Sequence, residues 1–210
     1  MHRPLSFTQE ELALVADDRV FPAKARITKK VRHLLEEVHA GLQEEMRQVV
    51  LLAPPGFDPA KFQFVKGEHL EDFPYQYLDF PKHFDGREKF TFRSLFWWGH
   101  HVVFALILEG AGLRRYKQNL VNRYHRIAGR DLCLGLGPTL WEWKQGEGYT
   151  MPLTHDRKSR VSAVLSNRPF VKVARFIPLT EAAFATGRMV ELGRETFRSL
   201  LPVMTEEDGS

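Results

Sequence analysis

The sequence predicts an α+β protein, a mostly antiparallel central sheet flanked by N-terminal and C-terminal helices. Three observations predict it. Between Ile27 and Val49 apolar residues recur every three to four positions, the period of an amphipathic helix. From Phe62 to Leu108 the pattern changes to alternation and to apolar runs rich in aromatic and β-branched residues, as in strands. After Thr180 a helical pattern returns and runs to about Leu201.

Taken in order, Thr8 is placed to cap a short helix from Gln9 to about Ala16. Glu11 completes a capping box, and Phe7 and Leu12 are spaced as a hydrophobic staple. Pro22 suits the first turn of a long second helix with the stripe Ile27, Val31, Leu34, Val38, Leu42, Met46 and Val49, ended by Ala53-Pro54-Pro55-Gly56. Phe62 to Val65 and Tyr75 to Asp79 read as strands. A third follows, with Phe90, Phe92, Ser94, Phe96 and Trp98 on one parity and Thr91, Arg93, Leu95 and Trp97 on the other. Val102 to Leu108 reads as a buried strand. A buried helix over Leu95 to Leu108 is the rival reading, and Gly99 favours a turn.

Leu113 to Ile127 is predicted helical, Trp141-Glu142-Trp143 a strand and Tyr149 to Asp156 a loop. Arg160 to Ser166 is predicted as a helix stopped before Pro169, and Phe170 to Ile177 as a strand. Thr180 is expected to cap a last helix weakened by Gly187 and Gly193. No repeat or long linker divides the chain, so 1–210 reads as one domain.

Composition limits the function classes. With 43% hydrophobic residues in 210, the chain is long enough to bury a core without staples, and the lone Cys133 cannot form an internal disulfide. The start MHRPLSFTQEELALV lacks a secretory apolar region, so a cytoplasmic location is expected. The most apolar window, Ser94 to Leu108, is 15 residues long, and a bilayer span needs roughly 20. Membrane insertion is therefore not expected. Net charge is +4, but its distribution is uneven. Arg114, Arg115, Lys117, Arg123 and Arg126 form one acid-free segment. Arg157, Lys158, Arg160, Arg168, Lys172 and Arg175 form another. Compensating acids lie between Glu10 and Glu71 and in the tail Glu206-Glu207-Asp208. If the two basic segments meet, they make a positive face.

Motifs for nucleotide, zinc or hydrolase chemistry are missing. Gly135-Leu136-Gly137-Pro138 lacks the lysine and hydroxyl of a phosphate loop, and there is no C-x-x-C, H-E-x-x-H or G-x-S-x-G. No cofactor and no metal are expected. Adjacent His100 and His101 point to opposite faces of a strand and cannot easily share an ion. Cys133 lies between Leu132 and Leu134, a setting that quiets a thiol. The richest segment is Lys66 to Glu109. There Tyr75, Tyr77, Asp79, Arg93, Trp97 and His100 can converge on neighbouring strands around a small anionic or planar ligand. The plainer reading is an aromatic core with Arg93 and Asp79 as an ion pair tying strands together.

Lys66-Gly67-Glu68-His69, Phe73-Pro74-Tyr75, Leu78-Asp79-Phe80-Pro81-Lys82 and Phe92-Arg93-Ser94-Leu95-Phe96-Trp97-Trp98-Gly99 resemble a string found in bacterial proteins of unknown function. That string has asparagine where this chain has His69 and His100. The order of elements also resembles the YktB-like bacterial family. Neither resemblance implies an activity or a catalytic residue.

The expectation is a small-ligand or protein-binding module with an aromatic and arginine pocket. A rival is an enzyme for an anionic small molecule, with Arg93 as anion clamp and His100, paired with Asp79 or Glu109, as acid and base. A third class binds nucleic acid or acidic protein through the basic face. The missing recognition motif counts against nucleic acid.

Overall fold

The structure is a computed structural model and describes residues 5–206. Glu207 and Asp208 of the acidic tail lie outside the described residues. One seven-stranded sheet carries the fold, in the order β1-β2-β3-β4-β7-β5-β6. β1 (Gln63–Leu70), β2 (Phe73–Asp85), β3 (Glu88–Trp97) and β4 (His101–Glu109) form an antiparallel meander. β7 (Phe170–Pro178) pairs antiparallel with β4, and the short β5 (Cys133–Gly135) and β6 (Thr150–Pro152) complete the far edge. Leu95 to Leu108 is therefore two strands around a turn, in which Gly99 takes φ +71.

Strand alternation sorts the side chains into two faces. Leu78, Phe80, Phe90, Phe92, Phe104, Leu106, Val171 and Val173 face the helices and form the main core. Against them pack α2 (Val20–Met46), α3 (Leu113–Asn122), α4 (Lys158–Ser166) and α6 (Met189–Met204). α2 contributes Val31, Leu35, Val38 and Leu42, all at most 4% exposed. Each such side chain stabilises by about 1.5–3 kcal/mol. The opposite face carries a smaller cluster of Leu95, Trp97, Val103, Ala105, Ile107, Leu140, Trp143, Phe170 and Ala174.

α1 (Gln9–Ala16) has the capping box expected of Thr8 and Glu11, with Glu11 N donating to Thr8 Oγ1 at 3.2 Å. Phe7 and Leu12 remain 62% and 54% exposed. The long helix stops at Met46, well before Pro54; Leu51 instead bridges to Thr205, and Leu52 N donates to Met204 O at 2.7 Å. Val49 is thus outside the helix, and Ile27 is 40% exposed. α3 ends at Asn122, and Tyr124–Arg126 tightens into a 3-10 turn. The final helix is broken in two. α5 (Ala182–Ala185) ends before Gly187, whose φ of +70 cannot continue a right-handed helix, and α6 restarts at Met189. Thr180 caps neither piece; the N-cap positions are Glu181 and Arg188.

Two further expectations need correction. Trp141-Glu142-Trp143 is no strand, because side chains take its backbone groups, and its burial rises from the exposed Trp141 to the buried Trp143 instead of alternating. Lys172 Nζ donates to Leu140 O and Glu142 O, and Lys144 N donates to the Glu142 carboxylate at 3.0 Å. Conversely the expected loop Tyr149 to Asp156 contains β6, which pairs Leu134 with Met151.

Candidate functional site

The antiparallel register sets Asp79 directly opposite Arg93, Tyr77 opposite Leu95 and Tyr75 opposite Trp97. All five polar or aromatic members share the face away from the main helices. Arg93 Nε and Nη2 donate to the two Asp79 oxygens at 2.7 and 2.8 Å, a bidentate pair that is 6% and 0% exposed. The guanidinium carbon lies 3.7 Å from the Tyr77 ring centre, 4.8 Å from Trp141 and 5.6 Å from Trp143. Arg93 is thus enclosed by one carboxylate and three aromatic rings. Tyr75 stacks parallel to Tyr77 at 6.1 Å and lies over Gly67, where a Cβ would come within 2.3 Å of its ring.

Trp97 is 1% exposed; its Nε1 donates to Leu70 O at 3.0 Å, and its ring stacks on His100 at 3.7 Å. His100 Nε2 is buried without a hydrogen-bond partner among the described residues. His101 contacts Trp143 O at 3.0 Å, and burial pushes it below the usual histidine range. The six residues expected at the site therefore sit close together, but around a filled interior. An anion clamp needs a free guanidinium, and Arg93 already holds Asp79. Neither proposed acid–base partner serves His100. Asp79 is committed to Arg93, and Glu109 ends β4 eight residues beyond His101, about 26 Å along the strand, paired with Lys89.

Sequence reasoning missed Lys172, Trp141 and Trp143 as parts of this cluster. Lys172 shares a face with Phe170 and Ala174, is 3% exposed, and lies 4.5 Å over the Trp143 ring. Burial pushes its amine down to about 8. A lone lysine in the run Phe170-Val171-Lys172-Val173-Ala174 was the available signal.

Part of the two basic segments is drawn inward, while Arg114, Arg115, Arg126, Lys158 and Arg160 are exposed. Lys117 Nζ donates to Arg168 O at 2.5 Å, Arg123 Nη1 to Pro202 O at 2.9 Å and Arg168 Nη1 to Gly137 O at 2.6 Å. Arg115 pairs with Glu206 and Arg175 with Asp131 and Glu195. Arg157 and Arg160 make no salt bridge among the described residues, although the Arg157 charge also favours the ionised form of the neighbouring Asp156. They line a cleft of about 630 Å³ beside the edge strand β6, with Leu136, Gln145, Glu147, Thr150, Met151 and Pro152. An adjoining cleft of about 500 Å³ shares Cys133, Gln145 and Pro152 and reaches Arg175 and Phe176. Burial raises the Cys133 thiol above its ordinary range.

Among the described residues no three His, Cys, Asp or Glu side chains gather as a metal site, and no helix is long and apolar enough to cross a membrane. Comparison with known families, curated proteins and solved structures finds no match for this chain.

Proposed function

We propose that this protein is a binding module for a small anionic ligand, taken up in the cleft between β6 and the start of α4, which adjoins a second cleft at the end of β7. One observation carries the reading: Arg157 and Arg160 make no salt bridge among the described residues and line one hollow, whose wall mixes Leu136, Met151 and Pro152 with Gln145, Glu147 and Thr150. Clefts of about 500 and 630 Å³ fall in the size range of small-molecule sites. Two guanidiniums suit carboxylate or phosphate groups, while Leu136, Met151 and Pro152 suit a short carbon skeleton. Binding is favoured over catalysis because His100 has no carboxylate partner and Cys133 is held in its thiol form. In this reading Arg93 and Asp79 keep β2 and β3 in register and do not touch the ligand.

The test is titration calorimetry with two probes, inorganic phosphate and citrate, at low and high salt. Binding of at least one probe is expected, weakening as salt rises. Arg157→Ala together with Arg160→Ala should lower affinity about tenfold or more, whereas Arg114→Ala should not change it. No heat with either probe, or equal binding by the double variant, removes the proposal.

A further inference from the structure

The N-terminal arm is rich in apolar residues, and none of its described residues up to Ala16 is buried. α1 places Leu12, Ala13, Leu14, Val15 and Ala16 in succession, covering every side of the helix, yet none of its residues is buried. Five consecutive apolar residues leave the later turns of a helix without a polar side, a pattern suited to burial. The apolar stripe of α2 that is buried from Val31 onward also continues backward toward the start of the helix. Lys24 and Thr28 still bond to β1 and β2 there, but Ile27, Phe21 and Val20 are 40%, 74% and 41% exposed. Together with Leu5, Phe7, Leu12, Leu14 and Val15, these side chains leave about 900 Å² of surface open. A standard protein interface covers roughly 800 Å² on each partner.

We propose that this arm is a dimer interface, and that its occupant is the same arm of a second copy. Charge complementarity favours a copy of this chain. α1 and the turn after it carry Glu10 and Asp18, which have no basic partner among the described residues. The first half of α2 carries Arg26, Lys29 and Lys30, which have no acid partner among them. A two-fold axis sets a patch against itself, so each acidic α1 can lie on the basic start of the partner's α2. Both charge sets and both apolar stripes are then matched by one contact. The acids within the apolar arm also oppose docking on an anionic lipid surface.

Sedimentation equilibrium of the full chain is expected to give twice the 24.3 kDa chain mass. Glu10→Lys with Asp18→Lys makes one variant, and Lys29→Glu with Lys30→Glu makes another. Each alone should dimerise about tenfold or more weakly, because every arm then meets like charge. Mixing the two should restore a heterodimer, an outcome that also shows both variants are folded. A chain that stays monomeric overturns the proposal, as does a dimer indifferent to both reversals. A monomer that instead co-sediments with phosphatidylcholine–phosphatidylserine vesicles assigns the arm to lipid and overturns it too.

Discussion

Removing one partner of the Arg93–Asp79 pair tests how the second face of the sheet is held. Asp79 is fully buried and Arg93 is 6% exposed, so Asp79→Ala leaves a guanidinium without its carboxylate in an aromatic enclosure. The expected loss is about 3–5 kcal/mol, as for other broken buried pairs. Replacing both partners, Asp79→Leu with Arg93→Met, removes the stranded charge along with the ion pair. What remains lost is the stacking on Tyr77, Trp141 and Trp143, partly replaced by the methionine, so the double variant should lose only about 1–2 kcal/mol. Arg32–Glu36 is the control: its side chains are 48% and 47% exposed, and Glu36→Ala should leave stability almost unchanged. Urea unfolding followed by tryptophan fluorescence measures all three. If Asp79→Ala costs no more than Glu36→Ala, or if the double variant is as damaged as the single one, the account of a desolvated, mutually dependent pair is wrong.

Three other outcomes are expected. Gly67→Ala drives a methyl into the Tyr75 ring and should destabilise by about 1–2 kcal/mol, and most of this should disappear when Tyr75→Ala is added, as read by thermal melting. The Lys172 amine is held near 8 when folded and at the ordinary lysine value when unfolded. Between those values the unfolded chain binds more protons, so stability should rise with pH above about 8, by at most on the order of 3 kcal/mol. Lys172→Met should flatten that slope in urea titrations across this range. Finally, Cys133 is 9% exposed with a raised thiol pKa, so a disulfide exchange reagent at neutral pH should label it slowly in the native protein and quickly in urea. Rapid native labelling would contradict that burial.

Local periodicity was enough to read the elements whose signal lies within a few residues. The stripe from Val31 to Leu42 became the expected helix because one buried face dictates period 3.6, and Phe90 to Trp97 and Phe170 to Ile177 became strands buried on both faces, rich in aromatic and β-branched residues. The parity of β3 also placed Arg93 and Trp97 on one face before any coordinates. Tertiary structure decided what depends on distant partners. Only the β2–β3 register brings Asp79 opposite Arg93 and so turns a prospective anion clamp into a closed ion pair. Lys172 binds the carbonyls around Trp141, which keeps that segment out of the sheet, and β5 and β6 are three residues each, too short to carry a pattern. The exposure of α1 is likewise invisible in its own sequence, since a helix cannot encode whether the surface it needs lies in its own chain or in another.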